Sequence, residues 1–373
     1  MASILKTKNK RKSTLFLMLV LICAATSLNA QEDRKHDWYI GGRYHYGFMH
    51  PFRMSVRYLV TDHIHGIELY AGKKFTGGSY MDQLYRHPEA GIAYYYGTLG
   101  NNDVFGRTHA LYPYFSASIY RGGRYSLTYL VGAGVSYNTR IFDIESNNLN
   151  ILIGSHLNSF IRLAIQNEYE LTERLTITNE LLVSHYSNGR IKSPNKGLNQ
   201  VTASVGLKYF MAERVQNEYF EIPELKKKNE FSIVSGYATK VIDQFNTGRY
   251  NVISLNFDYS RHVSHIRELT AGFDISYDGS LKRLISDDTG LPAGHADALR
   301  IGLHAGQELK FHDVSITLQL GAYLYNKWKK ENHFIYQRYG IRYYFSDRLF
   351  AAAVLKTHLG VADYLSWGVG CNF

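Results

Sequence analysis

Apolar and polar side chains alternate with period two through most of the chain after Gln31. The alternating segments are roughly nine to fifteen residues long, and clusters of Gly, Asn, Asp and Ser separate them. A strand of that length crosses a bilayer when it is tilted. The pattern therefore predicts an all-β fold, an antiparallel transmembrane β-barrel of the outer-membrane type.

About sixteen strands are expected, with about eight on each side of a polar linker. The predicted starts are Trp38, His65, Pro88, His109, Arg124, Leu157, Arg174 and Asn199 before the linker, and Asn229, Arg249, Ile266, Ala298, Val314, Ile335, Leu349 and Val361 after it. An even number of strands places both ends of the sheet on the periplasmic side of the membrane.

The predicted linker, residues 213–228, allows two ways of closing the sheet. Strands from 31–212 and 229–373 can form one barrel of about sixteen strands, which encloses a lumen, or two tandem barrels of eight, whose interiors are filled by side chains. We expect one barrel, because tandem membrane barrels in one chain are rare.

A membrane barrel is favoured over a soluble β-sandwich, although both would show this alternation. On the strand near Arg174, Leu181 and Val183 share one face, while Glu180 and Ser184 share the other. The 31 tyrosines suit the two interfacial girdles of a barrel. A mean hydropathy of −0.26, with no long apolar run beyond residue 30, excludes a polytopic helical membrane protein.

Residues 1–30 have the features of a signal peptide, with basic residues before an apolar run and cleavage expected after Ala30. Lipid attachment at Cys23 is the alternative, but the residue before it is not small. Cleavage would leave Cys371 as the only thiol, so no intramolecular disulfide is expected. It would also lower the net charge from +10 to about +5, which gives no support to nucleic-acid binding.

The last predicted strand ends on an aromatic residue, as in the insertion signal of bacterial outer-membrane barrels. The residues on its apolar face are Leu365, Trp367, Val369, Cys371 and Phe373. Residues 205–210 end the first set of strands in a similar way. A diverged duplication and a chance likeness between strands of one fold both explain this similarity.

One polar constellation stands out, at residues 184–189 and 194–199. His185 and Ser187 are two residues apart, so they share the face of Leu181 and Val183, and Asn199 lies on the next strand. A serine hydroxyl needs a neighbouring base to become a nucleophile, and the base needs an orienting partner. The alternative is a set of interfacial polar residues beside an extracellular loop.

The His185-x-Ser187-Asn188 segment, with Pro-Asn-x-Gly at 194–197, resembles the outer-membrane lipid A 3-O-deacylase family (PagL type) over residues 36–212. The resemblance implies a barrel whose outward-facing serine attacks an ester-linked acyl chain of lipid A. Ser187 would then be the nucleophile and His185 the general base, with Asn188 and Gly189 near the oxyanion.

The family's acid falls on Asn199 in this chain. An asparagine can orient a histidine by a hydrogen bond, but it cannot stabilise the imidazolium by charge. Three basic residues follow the serine and are expected to contact the phosphates of the substrate: Arg190, Lys192 and Lys196.

The leading interpretation is an outer-membrane serine esterase that removes an acyl chain from lipid A of lipopolysaccharide or a related lipid. The second interpretation is a non-catalytic barrel, a scaffold or a pore, that retains the Ser-His pair as a relic. Neither interpretation calls for a cofactor or a metal, because HExxH, paired CxxC and P-loop motifs are absent. The oligomeric state and the choice of acyl chain are left open.

Overall fold

A computed structural model describes residues 37–51, 54–214, 216–243, 248–328 and 334–373. The predicted signal peptide, residues 1–30, lies outside the described residues. None of the helices in the described part is both long enough and apolar enough to span a membrane.

The described chain is built from sixteen antiparallel strands with three short helices in the loops. The first eight are β1 (Asp37–Met49), β2 (Ile64–Lys74), β3 (Glu89–Thr98), β4 (Arg107–Gly122), β5 (Tyr125–Asn138), β6 (Leu157–Glu170), β7 (Leu175–Ser187) and β8 (Leu198–Phe210). The second eight are β9 (Asn229–Lys240), β10 (Tyr250–Ser264), β11 (Arg267–Asp278), β12 (Leu299–Phe311), β13 (Val314–Asn326), β14 (Ile335–Tyr344), β15 (Leu349–His358) and β16 (Val361–Asn372). The helices are α1 (Met54–Arg57), α2 (Tyr80–Leu84) and α3 (Ser280–Thr289), and a 3-10 turn covers Ala296–Ala298.

The strands form two closed barrels rather than one. β8 pairs with β1 and β16 pairs with β9, so the first sheet has no free edge to which β9 could add. The prediction of a sixteen-stranded antiparallel barrel protein is confirmed in its strand count, and the expected single barrel is wrong. The tandem arrangement is the correct alternative, and each predicted strand start lies within about two residues of the observed one.

Charged side chains fill the interior of the first barrel. Arg43 lies 2.9 Å from Glu68 and 2.9 Å from Glu180, and Arg162 pairs with the same two carboxylates. All four side chains are buried, on the face opposite the apolar one. An eight-stranded barrel is just wide enough for such side chains, so its interior is a packed polar core.

The second barrel has a polar interior of the same kind. His304 Nε2 lies 2.6 Å from Asp258 Oδ1, and Arg342 Nη2 lies 2.6 Å from the other oxygen of that carboxylate. Lys356 Nζ lies 3.3 Å from Asp274 Oδ1. Side chains that occupy the centre in this way are those of a filled barrel, not of a pore.

The two barrels belong to one compact unit, Asp37–Phe373. They are in contact along their sides, and we call this line of contact the seam; it runs from Arg190 and Val241 at one end to Tyr85 and Lys310 at the other. At the end that carries the predicted site, the Val241 N–H donates to Arg190 O at 2.8 Å. At the other end, the Tyr85 hydroxyl donates to Lys310 O at 2.7 Å. Because barrel strands tilt by about 40°, different strands of each barrel face the seam at its two ends.

Aromatic rings strengthen the second of these contacts. The Phe311 ring centroid lies 5.5 Å from that of Phe75, 5.3 Å from that of Tyr85 and 4.9 Å from that of Phe115. The polypeptide between the barrels follows the same region, since the Glu218 N–H donates to Thr76 O at 2.7 Å. The connection between the barrels is therefore docked against the β2–β3 loop.

Replacing Arg162 by Met should destabilise the first barrel, because it leaves two buried carboxylates with one guanidinium between them. We expect a loss of about 3 to 5 kcal/mol in the free energy of unfolding, measured by urea titration of tryptophan fluorescence in detergent. The control is Arg174→Met, which removes a partly exposed cation 3.7 Å from Glu213 and should cost less than about 1 kcal/mol. Equal losses in the two variants would contradict a structural role for the buried charges.

Candidate active site

The predicted site residues meet at the end of β7, next to β6 and β8. In the strand register His185 stands opposite Asn199 of β8, and Ser187 stands opposite Ser159 of β6. Val183, two residues earlier on the same face, is 48% exposed. The pleat therefore carries the histidine and the serine on the outer surface of the barrel, as predicted.

A side-chain hydrogen bond joins His185 to Asn199. His185 Nδ1 lies 2.7 Å from Asn199 Oδ1, and because a carbonyl oxygen can only accept, Nδ1 carries the proton. In the neutral ring Nε2 then has a free lone pair. Asn199 thus orients the ring and selects the tautomer that a general base requires.

Ser187 is more sheltered than the lipid-facing residues below it. It is only 9% exposed, whereas Leu181 on the same face of β7 is 65% exposed. Ser187 and His185 line one cleft of about 460 Å³, which lies between the two barrels. The site therefore lies on the outer face of the first barrel, and the second barrel covers it from one side.

Asn188 braces the β7–β8 loop. Its backbone N–H donates to Asn195 Oδ1 at 2.9 Å, and its side-chain amide donates to Ser155 Oγ at 2.8 Å and to Lys192 O at 2.9 Å. All its N–H hydrogens are thus engaged in the loop. In this arrangement no N–H hydrogen of Asn188 is free for an oxyanion, and the predicted oxyanion role of Asn188 and Gly189 stays a prediction.

Gly197 packs against the His185 ring and has a backbone conformation that favours glycine, with φ of +75°. A Cβ atom at this position would lie 2.7 Å from His185 Cε1 and 3.3 Å from Nε2. The Gly197 N–H donates to Leu152 O at 3.2 Å, which ties the loop to the preceding one. The glycine of the Pro-Asn-x-Gly segment is therefore a positioning residue for the histidine.

Positive charge prevails in the cleft. The three predicted substrate-binding residues, Arg190, Lys192 and Lys196, all line it, and the carboxylate among the described lining residues is Asp243. Lys192 and Lys196 are exposed side chains on the loop side of the cleft.

A group of side chains with metal-binding chemistry lies far from this cleft, at the other end of the second barrel. It consists of Glu230, His262 and Glu268, with His262 Nε2 at 2.5 Å from Glu268 Oε1. Lys310 also pairs with Glu268. Lys228 Nζ lies 2.7 Å from Glu230 Oε1, so a lysine of the protein pairs with each carboxylate.

Comparison with known families gives a match for each barrel. Residues 65–208 match the model of lipid A 3-O-deacylase (PagL), and residues 229–373 match that of the acyloxyacyl hydrolase C-terminal domain (PagL_C). The chain belongs to the lipid A 3-O-deacylase family. The resemblance inferred from the sequence is thereby confirmed, and the members of these families are ester hydrolases.

The comparison with curated proteins found no match to this deacylase-family chain. Among solved structures, the outer-membrane enzyme PagL is 15% identical, with 44% of this chain and 97% of that chain covered and a TM-score of 0.30. The siderophore receptor PirA from Pseudomonas aeruginosa is 9% identical, with coverage of 92% and 82% and a TM-score of 0.23. A mutant porin of Rh. blastica is 8% identical, with coverage of 91% and 100% and a TM-score of 0.17.

Several residues of the deacylase-family site escaped the sequence analysis. The roles of Asn195 and Gly197 were not assigned, although both lie in the Pro-Asn-x-Gly segment. The second barrel also contributes apolar residues to the cleft: Val241, Ile242, Leu355, Val361 and Ala362. No local signal marks these five, because their role depends on the packing of two barrels.

Gly197→Ala should reduce hydrolysis of a p-nitrophenyl ester by about 10- to 100-fold, because the new methyl group must displace the His185 ring. Heat-modifiable gel mobility, which reports barrel closure, should be unchanged. Gly123→Ala is the control, since Gly123 has φ of +56° but nothing within 4 Å of a Cβ. If the two variants lost equal activity, backbone strain and not the contact with the histidine would be responsible.

Proposed function

We propose that this outer-membrane lipid A deacylase is a serine esterase in which Ser187, His185 and Asn199 act together. The observation that carries the proposal is the His185–Asn199 hydrogen bond beside Ser187, in an outward-facing cleft. The substrate is lipid A of lipopolysaccharide or a related lipid, and the bond that is cleaved joins an acyl chain to a sugar hydroxyl.

The protonation state of the histidine defines the first chemical step. His185 Nε2 takes the proton of the Ser187 hydroxyl while Oγ attacks the ester carbonyl, and the carbonyl oxygen becomes an oxyanion. The imidazolium then returns its proton to the leaving sugar oxygen, which leaves an acyl group on Ser187. Water, activated by the same histidine, hydrolyses this acyl-enzyme and releases the fatty acid.

Asn199 supports this cycle in a limited way. Its carbonyl oxygen holds the Nδ1 proton and keeps the ring oriented throughout. A neutral amide stabilises the imidazolium less than a carboxylate does, so the transition state lacks one electrostatic contribution. We therefore expect a lower turnover number than a carboxylate at this position would give.

The strand topology supports the proposed substrate. With both chain ends periplasmic, β7 runs outward, so His185 and Ser187 lie near the outer leaflet, where lipid A resides. Arg190, Lys192 and Lys196 stand above them on the loop side of the cleft. Their charges suit the phosphate groups of lipid A.

Ser187→Ala should abolish fatty-acid release from lipid A, because no other group in the cycle can form the acyl-enzyme. Barrel closure should be intact, since the change removes one hydroxyl and no core volume. Mass spectrometry of the released fatty acid is the measurement, and heat-modifiable mobility is the folding control. Parental rates in the variant would rule out Ser187 as the nucleophile and would favour a non-catalytic barrel with a relic Ser-His pair.

Asn199→Glu should raise turnover by roughly 10- to 1000-fold, because a carboxylate beside His185 stabilises the imidazolium during attack. Asn199→Ala should lower turnover, because the ring loses its hydrogen-bond partner. Both variants are compared with the parent in the same fatty-acid assay. An unchanged rate in Asn199→Ala, with no gain in Asn199→Glu, would show that Asn199 does not orient the histidine.

A further inference from the structure

We propose that the second barrel forms one wall of the acyl-chain binding site, and that Leu355 in this wall determines which chain lengths the enzyme accepts. The proposal rests on the esterase function proposed above and extends it. In this proposal the first barrel contributes the residues that cleave the ester, and the second barrel determines which acyl chains bind.

The two sides of the cleft differ in character. The side formed by the first barrel contains Ser187, His185 and the three cations. The side formed by the second barrel is mostly apolar, with Asp243, Thr357 and Gly360 beside five apolar residues: Val241, Ile242, Leu355, Val361 and Ala362. A lipid has a charged head group and an apolar chain, and a cleft with one cationic and one apolar side matches both parts of such a molecule.

On the second barrel, outward-facing residues that are half-buried mark the surface covered by the first barrel, and outward-facing residues that are exposed mark the surface left to lipid. Leu349, at the start of β15, is 55% exposed, and Val369 on β16 is 66% exposed. Leu355 and Leu365 point outward from the same two strands but are half-buried. The first barrel shields this part of the β15–β16 surface, and the cleft lies beside the shielded patch.

The apolar wall is joined directly to the loop that follows the nucleophile. The Val241 N–H donates to Arg190 O at 2.8 Å. A Cβ atom at Gly189 would lie 3.0 Å from Leu365 Cβ, so the glycine allows the loop to approach β16 closely. These contacts fix the distance between the wall and Ser187.

An acyl chain is the occupant that fits this arrangement. A cleft of about 460 Å³ lies within the range of lipid and small-molecule sites. Leu355 is the lining residue farthest from the His358 end of β15, and each methylene of a chain buried against this side adds to binding. A side chain that shortens the cleft should therefore penalise long chains more than short ones.

The experiment compares Leu355→Trp with the parent in the full-length protein. The substrates are p-nitrophenyl butyrate and p-nitrophenyl palmitate in detergent micelles, followed by lipid A with mass spectrometry of the released fatty acids. We expect the ratio of kcat/KM for the long ester to that for the short ester to fall about tenfold. Leu355→Ala widens the cleft at an outward-facing position and should raise this ratio.

Leu349→Trp is the matched control, because it makes the same change on the same face of β15 but outside the cleft. Its ratio should equal that of the parent. Equal ratios in Leu355→Trp, Leu355→Ala and the parent, with the parent active, would overturn the proposed wall. Activity that persists in Ser187→Ala would instead overturn the proposed function, so the two failures can be told apart.

Discussion

The hydrogen-bonded closure of each sheet is the constraint on which the rest of the structure depends. Hydrocarbon offers no partner for a backbone N–H or C=O, so every strand that spans it must be paired on both sides. The pairs β1–β8 and β9–β16 meet this requirement separately in each half of the chain. The protein consequently has two outer surfaces that can face one another, and a cleft exists only because of this.

Closure also explains how a chain with a mean hydropathy of −0.26 can span a membrane. Each strand contributes half of its side chains to an interior that lipid never reaches, and charged groups pair there. Arg43 and Arg162 with Glu68 and Glu180 are the clearest example. The same alternation fixes the site, because moving β8 by one residue would turn Asn199 inward and break its hydrogen bond to His185.

Local patterns were sufficient to predict the strands and the positions of His185, Ser187 and Asn199 on the first barrel. Period-two alternation locates each strand, and strand parity places His185 and Ser187 on the outer face. The hairpin between β7 and β8 then brings Asn199 opposite His185. These relations involve residues that are at most one hairpin apart.

What could not be predicted depends on distant pairings. Alternation is the same whether β8 pairs with β1 or β9, so it does not distinguish one barrel from two. The sequence predicts Asn188 as an oxyanion donor, but its side-chain amide donates to Ser155, which lies in another loop. Leu355 reads as an ordinary lipid-facing residue, and only the packing of the barrels gives it a place beside Ser187.

The aromatic contact around Phe311 lies on the seam and holds the two barrels together at one end. Two stiff cylinders joined at one end alone would pivot, but these are joined at both ends, with about 25 Å of membrane-spanning barrel between the contacts. The orientation of one barrel against the other, and with it the gap between Leu355 and Ser187, is therefore held by contacts at both ends. The width of the cleft therefore depends on contacts at both ends of the barrel pair, including contacts made by residues that do not line the cleft.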